Sequence, residues 1–318
     1  MLVLGLQGSP RRRGNTTYLL NLFMEAAGRM GARTRIIDVP REPVALCKGC
    51  GACEKAGRCV SQDVAAEHFF PLLRQADIVV PASPVYFYGV TAQLKGLIDR
   101  CQTLWSRKYR LRLTDPGAPV RQGFFLAVGA TQGQQLFDGM HLTVRYFYDA
   151  IGAKEAGSLT YRSIEHAGDM AQHSTARHEV EAAVQNLLAP LVARTRVAFV
   201  GDDDRGAALM AALWMRYLAG KQCDVYFRGR PVDAEGDTAI RTTLADAGID
   251  AGYYIPQPFD AASDTVDRIV TIGEGAQQAF PAADNWAIPP DGSTADLCSA
   301  VESQVRRLIG DLTAATTI

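Results

Sequence analysis

Strands and helices alternate along the first half of the chain. Short apolar runs predict five β-strands, at residues 2–7, 34–39, 77–81, 123–128 and 158–161. Apolar side chains at helical spacing predict helices between them, at residues 16–30, 89–101 and 136–151. Strands that alternate with helices pair in parallel through right-handed crossovers. The pattern therefore predicts a doubly wound parallel α/β sheet.

The alternation restarts in the second half. A polar stretch at 163–175 and an amphipathic helix at 178–192 precede a fresh strand at 197–201 and a helix at 207–218. The pattern then continues through residues 225–228, 241–247 and 268–272. We place the boundary near Arg194, which gives a first domain over 1–194 and a second, smaller α/β domain over 195–318.

Composition narrows the class of protein. The 318 residues carry a net charge of −1 with scattered basic residues, which argues against nucleic acid as a partner. No apolar run reaches the length of a membrane span, and the apolar start reads as a buried strand rather than a signal peptide. Seven cysteines without an export signal favour the reducing cytoplasm over a disulfide framework.

The loop after the first strand has the properties of a phosphate site. Residues 8–17 read GSPRRRGNTT and open a helix, whose N-terminus favours an anion. Ser9, Asn15, Thr16 and Thr17 add side-chain donors. The loop matches neither the triphosphate nor the dinucleotide glycine motif, so a single phosphate ester fits best. An ordinary capped strand–helix turn is the alternative.

A second loop supplies flat apolar surfaces. In a sheet of order 2-1-3-4-5, ligands bind at the switch point beyond strands one and three. The loop after strand three reads SPVYFYG at 83–89 and brings Tyr86, Phe87 and Tyr88 to this place, unless these rings pack in the core. A third loop at 129–135 adds amide groups. Flavin mononucleotide (FMN) has the matching parts: one phosphate, a ribityl chain and a ring system.

These segments resemble the NADPH-dependent FMN reductase superfamily, whose fold is flavodoxin-like. The resemblance is carried by GSPRRRGNTT and by SPVYFYGVTAQLKGLIDR, and it spans most of residues 1–160. It implies FMN as cofactor, with NAD(P)H as a possible co-substrate. The implied phosphate contacts are Ser9, Arg11, Asn15, Thr16 and Thr17. The implied contacts to the rest of the flavin are Pro84, Val85, Tyr86 and Phe87, together with Gly129 and Gln132.

Four compact cysteines indicate a metal site. Cys47, Cys50, Cys53 and Cys59 have the spacing C-x2-C-x2-C-x5-C in a loop that lacks a helix or strand pattern over residues 40–63. Four thiolates suit a [4Fe-4S] cluster or zinc. Structural zinc sites usually split their ligands into two distant pairs, which favours iron–sulfur. Free cysteines left after the loss of a cluster are the third possibility.

The cysteine motif beside the FMN motifs resembles the iron–sulfur flavoproteins, a branch of the same superfamily. The resemblance implies a [4Fe-4S] cluster on these four cysteines. It also implies a homodimer or homotetramer in which the cluster of one subunit lies near the flavin of another. The electron donor or acceptor, a small molecule such as NAD(P)H or a ferredoxin-like protein, is left open.

The second half resembles low-molecular-weight tyrosine phosphatases and arsenate reductases, the phosphotyrosine-phosphatase I type. Aligning Met210 and Ala211 with that family puts Gly201 at the nucleophilic cysteine and Ala207 at the phosphate-binding arginine. Three aspartates at 202–204 would repel an oxyanion, and Asp291, after Pro289–Pro290, comes one place late for the general acid. Arg205 is out of position for the phosphate unless the loop shifts, and a generic small α/β domain is the alternative. We expect a catalytically degenerate domain.

Three smaller expectations follow from the pattern. Asp99 and Arg100 read as a surface pair, and Cys101 as buried. The basic run RKYRLRL at 107–113 reads as a solvated face or as a contact to the phosphate of a pyridine nucleotide.

Three functions remain open on the sequence. The first is an iron–sulfur flavoprotein oxidoreductase that passes electrons between FMN, the cluster and an external partner. The second is an NAD(P)H-dependent FMN or quinone reductase without a functional cluster. The third is a redox-sensing or docking protein with a pseudo-phosphatase domain.

Overall fold

The computed structural model describes residues 1–202, 205–288 and 291–315. It divides into two compact units. The first unit consists of Met1–Arg112 and Val120–Val192. The second begins at Ala193 and also takes Leu113–Pro119 out of the first half of the chain. Local sequence did not reveal this short excursion.

The first unit is built on a five-stranded parallel sheet. Its strands are β1 (Leu2–Gln7), β2 (Arg33–Asp38), β3 (Ile78–Pro84), β4 (Gln122–Val128) and β5 (Lys154–Tyr161). Their order is β2-β1-β3-β4-β5, which confirms the predicted flavodoxin-like topology. The reversal of order falls between β1 and β3, so the carboxyl ends of these two strands form the switch point.

Helices connect the strands of the first unit. They are α1 (Asn15–Arg29), α2 (Ala52–Ala56), α3 (Phe70–Gln75), α4 (Ala92–Arg100), α5 (Gln102–Tyr109), α6 (Asp138–Ala150), α7 (Asp169–Gln172) and α8 (Ala176–Val192). A 3-10 turn at Val39–Arg41 and a π-helical turn at Ala65–Phe69 complete the unit.

Both faces of the sheet are buried, as a doubly wound fold requires. Val3 of β1 packs with Phe23 of α1, Leu126 of β4 and Val184 of α8 in one apolar cluster. All six residues of β1 are buried, including those that point away from this cluster. A strand buried on both faces reads as a continuous apolar run, which is why β1 was recognised from its sequence.

Several element bounds differ from the predicted ones. The predicted helix 89–101 begins only at Ala92, because Thr91 caps it and accepts a hydrogen bond from the Leu94 N–H at 3.4 Å. Strand β5 begins at Lys154, four residues earlier than predicted, because pairing with β4 extends it past its apolar core. The helical turns at 65–75 were not predicted.

The second unit has its own parallel sheet. Its strands are β6 (Thr195–Gly201), β7 (Cys223–Arg228), β8 (Gln257–Pro258), β9 (Arg268–Ile272) and β10 (Asp284–Asn285), in the order β10-β9-β6-β7-β8. Its helices are α9 (Ala207–Ala219), α10 (Ala234–Asp246), α11 (Glu274–Ala279) and α12 (Thr294–Ala315). The predicted second, smaller α/β domain is confirmed, and its sheet is parallel. The sequence pattern does not predict the helix α12.

The excursion from the first half is fixed to the second unit by backbone hydrogen bonds. The Thr114 N–H donates to the Gly248 oxygen at 2.8 Å, and the Asp250 N–H donates to the Thr114 oxygen at 2.8 Å. Among the described residues, no helix combines the length and the apolar character needed to cross a bilayer.

Candidate functional site

The loop after β1 is locked against β3 by backbone contacts. The Gly8 N–H donates to the Ala82 oxygen at 2.8 Å, and the Thr91 hydroxyl donates to the Gly8 oxygen at 2.7 Å. A Cβ on Gly8 would lie only 2.9 Å from the Ala82 oxygen, so glycine is required by this close approach. The loops that follow β1 and β3 are therefore held together at the switch point.

Side chains of the loop after β1 bond mainly to the loop itself. Ser9 is buried, and its hydroxyl accepts from the Arg11 N–H at 3.2 Å. The Thr17 hydroxyl donates to the Arg11 oxygen at 3.0 Å and accepts from the Gln7 amide. Thr16 is buried, whereas the Arg11 side chain is exposed. These residues thus build a compact turn from which the Arg11 guanidinium, like those of Arg12 and Arg13, is exposed.

The side chain of Asn15 is used in a long-range contact. Its amide N–H donates to the His166 oxygen at 2.8 Å, and its amide oxygen accepts from the N–H groups of Gly168 and Met170, both at 3.2 Å. Asn15 therefore ties the start of α1 to the turn at 166–170. The sequence indicated a donor at this position but not this partner, 151 residues away.

The N-terminus of α1 is open to an anion. Gly14 stands at the N-cap and offers no side chain to the first-turn N–H groups, and no acidic residue lies in that turn. Helices normally satisfy these N–H groups with a capping side chain or with an external acceptor. The helix dipole adds a partial positive charge at this end.

The loop after β3 projects aromatic side chains into solvent. Tyr86 and Gly89 exchange two backbone hydrogen bonds of 2.9 Å each and close a two-residue turn. Phe87 and Tyr88, the central residues, have positive φ angles of 49° and 60°. Such angles are normal for Asn or Gly and strained for an aromatic residue. Phe87 is fully exposed at 104%, so the expectation of core packing does not hold for this ring.

The loop after β4 lies beside this aromatic turn. The Val85 N–H donates to the Val128 oxygen at 3.0 Å, which links the two loops. A Cβ on Gly133 would lie 2.9 Å from the Tyr88 hydroxyl, so the two residues are in close contact. Pro84 ends β3 itself. The loops after β1, β3 and β4 thus share one edge of the sheet.

The groups predicted at 129–135 are tied to the segment after β5. The Gly129 N–H donates to the Tyr161 oxygen at 2.8 Å, and its oxygen accepts from the Ile164 N–H at 3.0 Å. The Gln132 amide donates to the Ser163 hydroxyl at 3.0 Å. Gly129 therefore shapes this loop through its backbone, while Gln132 is held at the exposed surface.

The four clustered cysteines line one open pocket. The pocket has a volume of about 420 Å³ and contains Cys47, Cys50, Cys53 and Cys59 in its wall, together with Arg100. Cys47 and Cys50 are exposed, whereas Cys53 and Cys59 are half-buried. Within the described ranges 1–202, 205–288 and 291–315, no three His, Cys, Asp or Glu side chains converge closely enough to hold a metal ion. The cysteines therefore surround a common space without meeting at its centre.

The cysteine loop leaves the same sheet edge as the other loops, because it follows β2, which is parallel to β1. Arg41 at its start donates to the Pro10 oxygen of the β1 loop at 3.1 Å. Gly49, Gly51 and Gly57 have φ angles of 63°, 70° and 63°, which lets the chain reverse within a few residues.

Buried arginines support the cysteine loop, which the sequence did not indicate. The Arg107 guanidinium and the Thr103 hydroxyl both donate to the Gly57 oxygen, at 3.0 and 3.1 Å. Arg100 forms a buried ion pair with Asp63 at 2.7 Å. The expectation of a surface pair of Asp99 and Arg100 is therefore wrong. In the basic run 107–113, Lys108, Arg110 and Arg112 are exposed as a solvated face requires, and only Arg107 is buried.

The other cysteines lie in apolar surroundings. Burial raises the pKa of Cys101 to about 12 and that of Cys223 to about 11. Burial also raises the pKa of Cys298, which accepts a hydrogen bond from the Trp214 indole at 3.3 Å. These thiols are protonated at neutral pH, which suits packing rather than ligation or redox chemistry.

In the second unit, the loop after β6 holds no cysteine. Gly201 ends β6, and Ala207 begins α9. The Asp202 carboxylate accepts from the Gly275 N–H at 2.8 Å, and the Arg205 guanidinium donates to the Gly292 oxygen at 3.0 Å. Residues 203–204 and 289–290, which the phosphatase comparison also used, lie outside the described residues.

Comparison with known proteins places the first unit in a family. Residues 1–146 match the family described as NADPH-dependent FMN reductase. An iron–sulfur flavoprotein of Methanocaldococcus jannaschii is 39% identical over 105 residues, which is 33% of this chain and 53% of that protein. An iron–sulfur flavoprotein of Methanosarcina thermophila is 32% identical over 149 residues, which is 45% of this chain and 74% of that protein. This chain belongs to the iron–sulfur flavoprotein family.

Membership confirms the family predicted from the β1 loop, the β3 loop and the cysteine spacing. The chain spans about half the length of most curated relatives that it matches. Among solved structures, an NAD(P)H:quinone oxidoreductase from Methanothermobacter marburgensis aligns over 59% of this chain and 96% of its own, with 17% identity and a TM-score of 0.47. The phosphatase-like relation of the second unit stays a prediction.

Proposed function

We propose that this chain is a flavin-dependent oxidoreductase that transfers electrons between FMN, a [4Fe-4S] cluster and an external donor or acceptor. One observation carries the proposal. The β1 loop and the β3 loop are bonded to each other at the switch point, and the cysteine loop after β2 leaves the same sheet edge. Family membership supplies the chemical identity of the two groups.

The phosphate of FMN would sit at the start of α1. The uncapped first turn supplies backbone N–H groups, including those of Thr16 and Thr17. Arg11 supplies one exposed cation of this loop, beside Arg12 and Arg13, while Ser9 and Asn15 hold the turn in shape through their own bonds. A phosphate fits this arrangement because the helix offers donors and no competing carboxylate.

The flavin ring would lie along the β3 loop. Pro84 and Val85 form its inner edge, and Tyr86 and Phe87 present exposed rings. A ring system stacked on these side chains would cover apolar surface that water now covers. Gly129 and Gln132 border the same place from the β4 loop.

The residues of the cysteine pocket fit an iron–sulfur cluster in their chemistry. Four thiols line one pocket. Within the described part of the chain, the Arg100 Nε–H is buried and has no acceptor, and its side chain lines this pocket. Buried donors normally have acceptors, so an electron-rich group in the pocket would complete the site. Cys47, Cys50, Cys53 and Cys59 would be its ligands.

When bound, FMN can exchange two electrons while the cluster carries one at a time, so together they connect two-electron and one-electron partners. The chain's own groups bind and orient these cofactors, and no protein nucleophile, acid or base is required. We propose NAD(P)H or a protein of the ferredoxin type as electron partner and a homodimer or homotetramer as the assembly. We propose a reducing, cytoplasmic location, because no disulfide joins cysteines in the part of the chain that the structure describes.

Stoichiometry of the anaerobically purified protein tests the proposal. FMN released by heat is measured by chromatography, and iron and sulfide by chemical analysis. We expect one FMN and about four irons per chain. Cys50→Ser should lose the iron and keep the FMN, whereas the matched variant Cys223→Ala, at a buried thiol of the second unit, should keep both. A wild-type protein with neither group would refute the proposal.

A second candidate is an FMN or quinone reductase without a functional cluster. The observation that favours it is the lack of three converged metal ligands among the described residues. FMN at full occupancy, with zinc or no metal in the anaerobic protein, would select this candidate. The Cys50→Ser variant would then reduce quinones as fast as the wild type.

For the second unit we propose a docking or sensing role without phosphatase activity, which makes redox sensing the third candidate for the whole chain. Gly201 and Ala207 stand where the phosphatase resemblance requires the nucleophile and the arginine. Neither residue can form a phosphoenzyme or grip a phosphate. We expect the wild-type protein not to hydrolyse p-nitrophenyl phosphate. Measurable hydrolysis by the wild type would contradict this role, whether or not an Arg205→Ala variant retains it.

A further inference from the structure

The two inner cysteines of the loop lie against α4 and α5, whereas the two outer cysteines face solvent. Ser106 of α5 is fully buried, and its hydroxyl donates to the Cys53 sulfur at 3.6 Å. The other half-buried cysteine, Cys59, lines the same pocket as Arg100 at the end of α4. The four prospective ligands thus have unequal surroundings.

Arg100 closes the cysteine loop at both of its ends. Its guanidinium donates to the Ala45 oxygen at 2.7 Å and to the Ser61 oxygen at 3.2 Å. The Asp63 carboxylate accepts two further bonds from it, at 2.7 and 2.9 Å, and also accepts from the Ala45 N–H at 2.8 Å. One planar group therefore fixes the entrance and the exit of the loop.

The charge of Arg100 is held in place beside Cys59. The Asp63 carboxylate fixes the guanidinium at 2.7 Å, and Arg100 and Cys59 line the same pocket. Only 2% of Arg100 is exposed, so water screens this cation weakly. Within residues 1–202, 205–288 and 291–315, its Nε–H has no acceptor.

We propose that Arg100 and Ser106 are positioning residues of the cluster site, which hold Cys59 and Cys53 and raise the reduction potential of the bound cluster. This inference rests on the proposed function. Reduction adds negative charge to the cluster and its thiolates. A nearby buried cation and hydrogen bonds to the ligand sulfurs favour that added charge.

The two residues should act differently, which separates electrostatic tuning from loop support. Arg100 both ties the loop and supplies charge, whereas Ser106 is uncharged and its hydroxyl donates to the Cys53 sulfur. Arg100→Lys keeps the positive charge but loses the planar fork that bonds Ala45, Ser61 and Asp63 together. Arg100→Gln loses both.

The first measurement is the reduction potential of the cluster, by anaerobic titration with redox dyes followed in the visible spectrum. Arg100→Gln should lower the potential, Arg100→Lys should restore most of the difference, and Ser106→Ala should lower it less. The matched control is Lys95→Gln, which removes an exposed charge from the same helix. Its shift should be small, because salt and water screen an exposed charge.

The second measurement needs no cluster. Hydrogen exchange of residues 45–63 in the iron-free protein reports how firmly the loop is held. Exchange should be faster in Arg100→Gln and in Arg100→Lys than in the wild type, and unchanged in Ser106→Ala and Lys95→Gln. A purely structural role for Arg100 would speed exchange equally in both Arg100 variants but leave the potential of any retained cluster unchanged.

The outcomes distinguish this inference from the proposed function. Iron-free wild-type protein would refute the proposed function. Iron-loaded wild type in which the Arg100 and Ser106 variants match Lys95→Gln in potential would refute the inference and leave the function standing. If Arg100→Gln does not fold, the other two variants still test the inference. It is overturned if Ser106→Ala has the reduction potential of the wild type and Arg100→Lys shows the wild-type rate of hydrogen exchange in the loop.

Discussion

The strained aromatic turn of the β3 loop gives the sharpest prediction about FMN binding. Phe87 has a φ of 49°, a conformation that costs an ordinary residue about 1 kcal/mol or more and that asparagine adopts readily. The substitution Phe87→Asn should therefore stabilise the FMN-free protein by about 1 kcal/mol. For a unit of this size, that corresponds to a rise in Tm of about 2–4 °C.

The same substitution should weaken FMN binding. Phe87 is 104% exposed, so a flavin stacked on one face of its ring would cover about 75–100 Å² of apolar surface. At about 25 cal/mol per Å², this area contributes about 2 kcal/mol, or about thirty-fold in Kd. Stability of the FMN-free form and affinity for FMN should thus change in opposite directions.

Fluorescence titration of FMN with the FMN-free protein measures Kd, and thermal unfolding of the same sample measures Tm. Arg112→Asn is the matched control, because Arg112 is another exposed residue with a positive φ, 55°. It should raise Tm and leave Kd unchanged. If Phe87→Asn binds FMN within about threefold of the wild type, the ring does not stack on the flavin and the assignment of this loop is wrong.

Three further predictions concern how the site is held. Gly8→Ala places a Cβ 2.9 Å from a backbone oxygen of β3 and should lower the free energy of unfolding in urea by about 1–3 kcal/mol. Gly28→Ala, whose Cβ has nothing within 4 Å, should raise this free energy. Equal effects of the two substitutions would contradict the close approach at Gly8. Asn15→Ala removes three hydrogen bonds to the 166–170 turn and should lower the free energy of unfolding by about 1–3 kcal/mol in the same assay. Asn15→Asp should lower it less, because the carboxylate keeps the acceptor. A loss near zero in Asn15→Ala would show that these bonds do not stabilise the protein. Burial acts to raise the pKa of Asp63, but hydrogen bonds from Arg100 hold this pKa below its ordinary value. The difference in stability between wild type and Asp63→Asn should therefore be constant above about pH 5 and shrink as the pH falls below about 4. A difference that does not change with pH would refute the role of this carboxylate.

The sequence was sufficient where the signal is local. The β1 strand is a continuous apolar run followed by a glycine-rich turn, and both features act over neighbouring residues. The cysteine spacing likewise needs no knowledge of the fold. The alternation of strands and helices predicts parallel pairing, and the strand order 2-1-3-4-5, which the flavodoxin-like resemblance implies, is confirmed.

The missed features depend on partners that are distant in the chain. Arg100 bonds to Asp63, 37 residues away, and Arg107 bonds to the Gly57 oxygen, 50 residues away. The charged neighbours of Arg100 and Arg107 in the sequence would look the same whether these arginines were exposed or buried. Only the packing of α4 and α5 on the cysteine loop shows that these cations are buried.

Packing also explains the reassigned role of Asn15. Its side chain suits a phosphate donor and a helix cap equally well. The turn at 166–170 follows β5 in the chain, and its backbone forms three hydrogen bonds with the Asn15 amide. A local motif cannot distinguish a side chain that binds phosphate from one that bonds to a distant turn.

The central claim is that FMN and an iron–sulfur cluster occupy one edge of the first sheet. The most direct test is the visible and electron paramagnetic resonance spectrum of the anaerobically purified protein before and after reduction. We expect bleaching of a flavin band together with a paramagnetic signal from a reduced cluster, with flavin and cluster each present in an amount equal to that of the protein. A flavin band without any cluster signal, or a colourless protein, would contradict it.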